Sequence, residues 1–386
     1  MSTEEVSADG DNASMRDKAG RRQTPLALRL KERIRHEGPI TISAYMQACL
    51  QDADYGYYRT RPAIGAKGDF ITAPEISQVF GELIGLWCAV TWQMLGEPAH
   101  LHLIELGPGR GTLMADLLRA TRLVPGFGAA LSVHLVESNE VLVDAQRERL
   151  TGIVGRLCWH ASLDEAARSL DGDAAPVLLI ANEFLDTMPV TQMQMTSAGI
   201  ALRGVGLDGD GNLSFISLPA KASEPRLEGA AVGEVFERQD FAFMATLGEM
   251  AKARALAALF IDYGHVTAAR GETLQAVREH AAEHPLCSPG EADITVHVDF
   301  SAVLDAGKQA GLETDGALTQ AEYLGRLGIM ERASRLMAAN PSKAQMIEAS
   351  IARLMAPSGM GSRFKVIGMR AGICDPLPGF EGVSSE

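Results

Sequence analysis

The segment ELGPGRG, residues 105–111, constrains this chain more than any other. It joins an apolar run, LHLI, to a helical pattern through three glycines, with a carboxylate two positions ahead of the first. Gly107 and Gly109 free the backbone to turn tightly and to approach a ligand, and Gly111 lets the following helix pack near the strand. The helix N-terminus then offers unpaired N–H groups to a polar ligand, as nucleotide sites do. Spacing narrows the choice. A dinucleotide fingerprint, GxGxxG, needs glycine at 112, where Thr112 stands, and a Walker A loop needs a lysine that is absent. What is left is a GxGxG turn behind Glu105, with a ligand-free strand-turn-helix as the plain alternative.

The flanking pattern is that of an α/β chain. Strands at 101–105, 131–136, near 156–159 and at 177–181 alternate with helices at 112–121 and 139–150, which predicts a Rossmann-like, mostly parallel sheet covered on both faces. Such sheets bind ligands at the carboxyl ends of the strands, where the strand order reverses. Two short helices, 25–37 and 41–52, come first. A long one follows at about 75–95, its stripe of Ile76, Val79, Phe80, Leu83, Ile84, Trp87 and Val90 marking it as core. Residues 190–218 alternate in β fashion around turns such as LDGDGN, predicting an antiparallel insertion. The sheet resumes with a strand ending near Asp262, a short piece in ITVHVDF and a final strand at 362–370, with helices between 319 and 355. The expected organisation is therefore a disordered tail (1–24), a helical segment with a lid (25–98), a ligand-binding core (99–189), a β-rich insertion (190–240) and the rest of the sheet with a helical insertion (241–386).

Composition excludes several classes. The formal net charge of −14 over 386 residues opposes general binding to nucleic acid and favours a cationic partner. No apolar run reaches the length of a membrane span. The five cysteines are scattered, without CxxC, so neither a disulfide framework nor a zinc cluster is expected. The first 24 residues are polar and aperiodic, lack the apolar stretch of a secretory signal, and carry early acids that a mitochondrial presequence avoids. The expected setting is the cytoplasm.

GxGxG behind a glutamate is the pattern usual in loops that hold S-adenosylmethionine. The ribose of such a cofactor needs a carboxylate at the end of the second strand, where Glu137 stands, while Ser138 and Asn139 also suit helix capping. In ASLDEAA, Ser162 and Leu163 lie where an adenine rests, although SxDE is first of all a capping arrangement. The fourth strand runs into NEFLDTMP, placing Asn182, Glu183 and Asp186 beside the glycine loop as catalytic candidates. Paired carboxylates there can grip a guanidinium through bidentate bonds; the plain reading is a turn before Pro189. GDFITAPEISQ offers Asp69 and Glu75 from a possible lid, and His265 and His297, beside strand ends, are candidates for an acceptor channel. HAAEH, residues 280–284, matches a zinc pattern, but Pro285 follows at once and a third ligand has no source, so no metal is expected.

Taken in order, TAPEISQVFGELIG, ELGPGRGTLMADLL, VESN, NEFLDTMPV, DYGH, GETLQAV and PGEADITVHVDF resemble the MidA family over most of the chain. The resemblance implies the seven-stranded class I methyltransferase fold with added N-terminal helices, an antiparallel β insertion and a C-terminal helical insertion. It implies S-adenosylmethionine held by Glu105, Gly107, Gly109, Gly111 and Glu137, and an acceptor facing Asn182 to Pro189. Mitochondrial members assist assembly of respiratory complex I and are described as protein arginine methyltransferases, so a protein arginine is the implied acceptor. The acidic N-terminus suits a bacterial member. Two other roles fit the same residues: an assembly chaperone that binds the cofactor without catalysis, and a small-molecule methyltransferase.

Overall fold

A computed structural model of the chain describes residues 21–60, 72–153, 155–220, 229–267 and 271–383; residues 1–20 of the expected tail lie outside them. Seven strands run through the main sheet, β1 Leu101–Leu106, β2 Leu131–Val136, β3 Leu157–His160, β4 Val177–Asn182, β5 Leu256–His265, β6 Glu313–Thr319 and β7 Phe364–Ala371, and the two-residue strand Val298–Asp299 pairs with the end of β5 off this path. Their order is β6-β7-β5-β4-β1-β2-β3, with β1 to β5 parallel and β7 antiparallel between β5 and β6. The chain steps outward from β1 to β3, then returns to the other side of β1 as β4. The connections therefore diverge above the carboxyl ends of β1 and β4 and open a crevice there.

The strands read as nearly continuous apolar runs because both faces are covered. Leu103, Val133, Leu135, Leu178, Ile180 and Leu259 pack under helices Gln78–Met94 and Thr112–Thr121 and the C-terminal helices. Ile104, Leu106, Leu179, Ala181, Ala258 and Phe260 pack under helices Leu163–Ser169, Phe243–Ala253 and Phe300–Gln309. One polar row crosses this sheet. His102, His134 and His160 link ring to ring at 3.0 Å, and Asp173 accepts from His102 Nε2 at 3.0 Å. A proton on each Nε2 satisfies the whole row without charge, in keeping with the His134 pKa being pushed down to about 4 by burial.

Two expectations need correction. The helix anticipated over 75–95 is broken at Ser77, which is extended and caps Gln78–Met94 by accepting from Val79 N–H at 3.3 Å. Within that helix Val90 is 43% exposed and belongs to an outer strip with Leu86 and Met94, not to the core. HAAEH forms no helix: Glu279 and His280 adopt left-handed backbone in a turn between strands Gln275–Arg278 and Ala281–Glu283, so the two histidines share no helical face.

A second apolar layer roofs the crevice. The insertion folds as antiparallel strands Val190–Thr196, Gly199–Leu207, Leu213–Pro219 and Val235–Gln239. Ile40–Thr41, between the two N-terminal helices, pairs with this sheet through Ile40↔Val205. Helix Pro25–Glu37 starts at Thr24, whose hydroxyl accepts from Ala27 N–H at 3.0 Å, and buries Leu26, Leu30 and Ile34. These join Ile42, Tyr45, Met46, Val190, Val205, Leu213, Ile294 and Val296 in one cluster, so the N-terminal helices pack on the insertion and on the three-stranded sheet that ends in Asp293–Thr295.

Candidate functional site

The turn after β1 sits over the crevice. Gly107 (φ +63°), Gly109 (+53°) and Gly111 (+73°) are all left-handed, and a Cβ on Gly107 would stand 3.2 Å from the Phe184 ring. Gln146, wholly buried on helix Glu140–Leu150, donates to the Gly109 carbonyl at 2.7 Å and accepts from Trp159 Nε1 at 2.9 Å, which fixes the loop from behind. Beneath it lies Glu105, whose Oε2 is buried without a hydrogen-bond partner in the protein. Burial alone pushes that carboxyl up to about 8. A buried acceptor lacking a donor, opening on a small hollow with Gly107, Gly109 and Asn182, fits the ammonium of an amino-acid tail.

The main cavity, about 500 Å³, extends from this loop in both directions along the strand ends. Toward β2 and β3 it is lined by Glu137, Ser138, Leu142, Ser162 and Leu163. Burial raises the Glu137 carboxyl to about 7, although Asn139 N–H donates to it at 2.9 Å. Two ribose hydroxyls would supply the donors that favour its charged form. Ser162 serves two ends, capping helix Leu163–Ser169 by accepting from Glu165 N–H at 3.2 Å while lining the cavity where a flat base would meet Leu163. Asn139 caps the helix after β2, accepting from Val141 N–H at 2.9 Å.

Toward β4 and β5 the cavity turns acidic. Glu183 holds a left-handed conformation (φ 52°) that a non-glycine residue adopts at a cost, and accepts from Ala73 N–H at 3.0 Å and Asn182 Nδ2 at 3.1 Å. Burial carries its carboxyl up to about 7 and that of Asp186 to about 6, the second held back by a hydrogen bond from Tyr263. Asp186 Oδ1 is buried and unpartnered, and Asn182 Oδ1 likewise. Tyr58, Tyr263 and Asp293 complete this end; Tyr58 donates its hydroxyl to Asp293 at 2.8 Å, and the Thr295 hydroxyl lies 2.6 Å from that of Tyr263. The turn itself is shaped by Asp262, fully buried at the end of β5, whose Oδ2 accepts from three successive amides, Phe184 (3.0 Å), Leu185 (2.8 Å) and Asp186 (3.2 Å). Burial, then Asp186 and Glu183, raise the Asp262 carboxyl well above its ordinary range.

The structure thus brings Gly107, Gly109, Glu137, Ser138, Leu163, Glu183 and Asp186 to one cavity, with Glu105 and Asn182 on the adjoining hollow and Gly111 capping the helix behind. Other expected residues lie elsewhere. Glu75 lines the small hollow and not the acceptor end, because its Oε1 is tied to the Thr112 hydroxyl at 2.5 Å. His265 and His297 line a separate small hollow with Glu237, Thr273 and Asp299, and His297 meets the cavity wall through Tyr263, edge-on with centroids 5.6 Å apart. Asp69 lies outside the described residues. Tyr58, Gln146, Asp262, Tyr263 and Asp293 also shape the site, although no motif in the sequence assigns them to it. An acid inside the apolar run LFIDY was the one available signal, since an unpaired charge is rarely buried in a strand without a task. Among the described residues no group of His, Cys, Asp or Glu has the geometry of a metal site.

A 3-2-1-4-5-7-6 sheet with a glycine loop after β1 and an acid after β2 defines a class I, S-adenosylmethionine-dependent methyltransferase. Residues 83–318 match the family described as "Putative S-adenosyl-L-methionine-dependent methyltransferase", and the chain belongs to that family, in its MidA-type branch. The zebrafish (Danio rerio) and human (Homo sapiens) proteins called protein arginine methyltransferase NDUFAF7, mitochondrial, are each 34% identical to it, the first over 87% of this chain and 84% of its own, the second over 88% and 82%. A COG1565 superfamily protein of Burkholderia thailandensis, crystallised with S-adenosylhomocysteine, is 31% identical with a TM-score of 0.81 over 92% of this chain and 94% of its own. The cofactor is S-adenosylmethionine.

Proposed function

We propose that the methyl acceptor is an arginine side chain of a protein, in a respiratory complex I subunit or its bacterial equivalent. The observation that carries this reading is the chemistry of the acceptor end: Asp186, Asp293 and Glu183 with two phenols, and no lysine or arginine among the described residues lining the cavity. A guanidinium is planar, permanently charged and rich in donors, so it matches a cluster of buried carboxylates in which Asp186 Oδ1 lacks a donor in the protein. The net charge of −14 favours approach of a basic segment. The names of the mitochondrial relatives point the same way.

Bound S-adenosylmethionine supplies a methyl group on a sulfonium, an electrophile that needs alignment more than activation. The chain's own residues then have three tasks. Asp186 Oδ1 and Asp293 orient the guanidinium so that one nitrogen faces the glycine loop, and alignment of this kind supplies much of the rate. Phe184, Phe243 and Met188 line the cavity and exclude water. As the nitrogen gains its methyl group it must shed a proton, and Glu183, close to neutrality in its pKa, is placed to take it. We also propose a cytoplasmic site of action, in keeping with five cysteines scattered along the sequence without a CxxC pair.

The test is mass spectrometry of complex I subunits, or of their arginine-bearing peptides incubated with the purified protein and S-adenosylmethionine. Arginine methylation that depends on the protein is expected, and subunits equally methylated in a strain lacking the gene would refute the reading. A Glu183→Ala, Asp186→Ala variant that still binds S-adenosylhomocysteine and still supports assembly would favour the chaperone role. Fractionation that recovers the protein outside the cytoplasm would overturn the site of action.

A further inference from the structure

Three consecutive residues of the short helix Tyr57–Thr60 do three different things. Tyr57 is fully buried in the roof cluster and anchors the helix there. Tyr58, packed edge-on against it with centroids 5.2 Å apart, reaches down to Asp293 at the acceptor end. Arg59 points the other way and donates from Nη1 to the Ser138 carbonyl at 2.7 Å, immediately after Glu137. One turn of the roof therefore touches the ribose corner with one side chain and the acceptor corner with its neighbour. Arg59 is exposed, and its hydrogen bond ties this helix to the turn after β2. Its positive charge favours the ionised form of Glu137, whose carboxyl burial otherwise holds near neutrality.

We propose that Arg59 is a positioning residue that transmits cofactor occupancy to the acceptor site: ribose hydroxyls bound to Glu137 fix the Glu137–Ser138 turn, the Ser138 carbonyl so fixed holds Arg59, and the helix held by Arg59 sets Tyr58 against Asp293. The linkage is reciprocal, so an acceptor that engages Tyr58 and Asp293 raises affinity for the cofactor by the same factor. Binding then favours cofactor first, because the acceptor corner is held fast only when the ribose corner is occupied. The transmission concerns the cofactor and stands whatever the acceptor; the identity of Tyr58 as an acceptor contact rests on the arginine reading.

Hydrogen exchange of the full-length protein with and without S-adenosylhomocysteine tests the first part. The amides of Gly56, bonded to the Asp52 carbonyl at 2.9 Å, and Arg59, bonded to the Gly56 carbonyl at 3.0 Å, report on this turn. Saturating ligand is expected to slow their exchange by about tenfold, the scale of one charge-assisted hydrogen bond. Arg59→Ala should abolish the slowing and Arg59→Lys should restore part of it, with calorimetry verifying that the ligand is bound in each case. Equal slowing in wild type and Arg59→Ala, or none in wild type with ligand bound, overturns the proposal. In a second measurement at saturating S-adenosylmethionine, Arg59→Ala should raise the KM for an arginine-bearing peptide about tenfold while kcat changes little; a loss confined to kcat would also overturn it. A peptide never methylated by the wild-type protein defeats the arginine reading and leaves the exchange result to stand alone.

Discussion

Replacing Glu105 by glutamine isolates the electrostatic burden of the cofactor site. In an unfolded chain this carboxyl ionises above about 4.5, whereas in the folded protein burial keeps its proton on until about 8. Between those values the folded state binds the extra proton, so its stability falls as pH rises, and the contribution is intact below pH 4.5. At about 1.4 kcal/mol per pH unit the loss across the window reaches about 4 kcal/mol, an order-of-magnitude figure for a fully buried group. Glutamine does not titrate. Its amide carries its own constant cost of burial, and the other buried carboxyls are present in both proteins, so both effects cancel when wild type and variant are compared at two pH values. Urea unfolding without ligand at pH 4.5 and pH 8 should show the stability difference moving by about 4 kcal/mol in favour of Glu105→Gln at the higher pH. S-adenosylhomocysteine should reverse the trend in wild type alone, since its ammonium can pair with the ionised carboxylate. A stability difference that stays constant between the two pH values would refute the assignment of a buried, unpartnered carboxyl beneath the glycine loop.

Other outcomes follow from the same geometry. Asp262→Ala strands three buried amides and should cost about 3 kcal/mol and at least a tenfold loss in kcat, while Asp262→Asn, which keeps an acceptor oxygen, should retain most of the stability; equal melting temperatures for the two variants would count against the role given to that carboxylate. At saturating cofactor, kcat/KM should fall as pH drops through about 7 and 6, because Glu183 and Asp186 must be ionised to grip a cation and take its proton, and a flat profile between pH 5.5 and 8 would contradict this. Gly107→Val places a side chain on left-handed backbone 3.2 Å from Phe184 and should abolish S-adenosylhomocysteine binding by calorimetry. Glu137→Ala should weaken that binding about tenfold or more; heat unchanged in either variant removes the residue from the site.

The parallel core was legible because its signals are local. Strands buried on both faces read as apolar runs, and the glycines of ELGPGRG needed only their own spacing to mark the turn after β1. What stayed hidden depends on partners distant in sequence. β6, ETDGALT, looks like loop because of its acids and glycine, yet Asp315 is buried against Arg370 at 3.1 Å and accepts from Leu377 N–H at 3.0 Å. Val90 continues a helical stripe whose partner surface simply ends before it. In the site, the carboxylates of NEFLD announced themselves by clustering, whereas Asp262, which shapes that turn, and Tyr58 and Asp293, which come from the roof, are brought there only by the fold. His265 and His297 stand beside strand ends as expected, but Tyr263 comes between His297 and the cavity, and both histidines line a neighbouring hollow instead.

The roof has a consequence for the history of such chains. Helices Pro25–Glu37 and Ile42–Gln51 rest on Val190, Val205 and Leu213 of the insertion, and Ile40–Thr41 extends the same sheet, so neither part can hide its apolar surface alone. A lineage that lost the insertion would leave a bare leading arm, and one that lost the arm would leave a sheet prone to stick to others. The two segments, far apart along the chain, are thus expected to be gained, kept or discarded together, and with them the roof over the crevice.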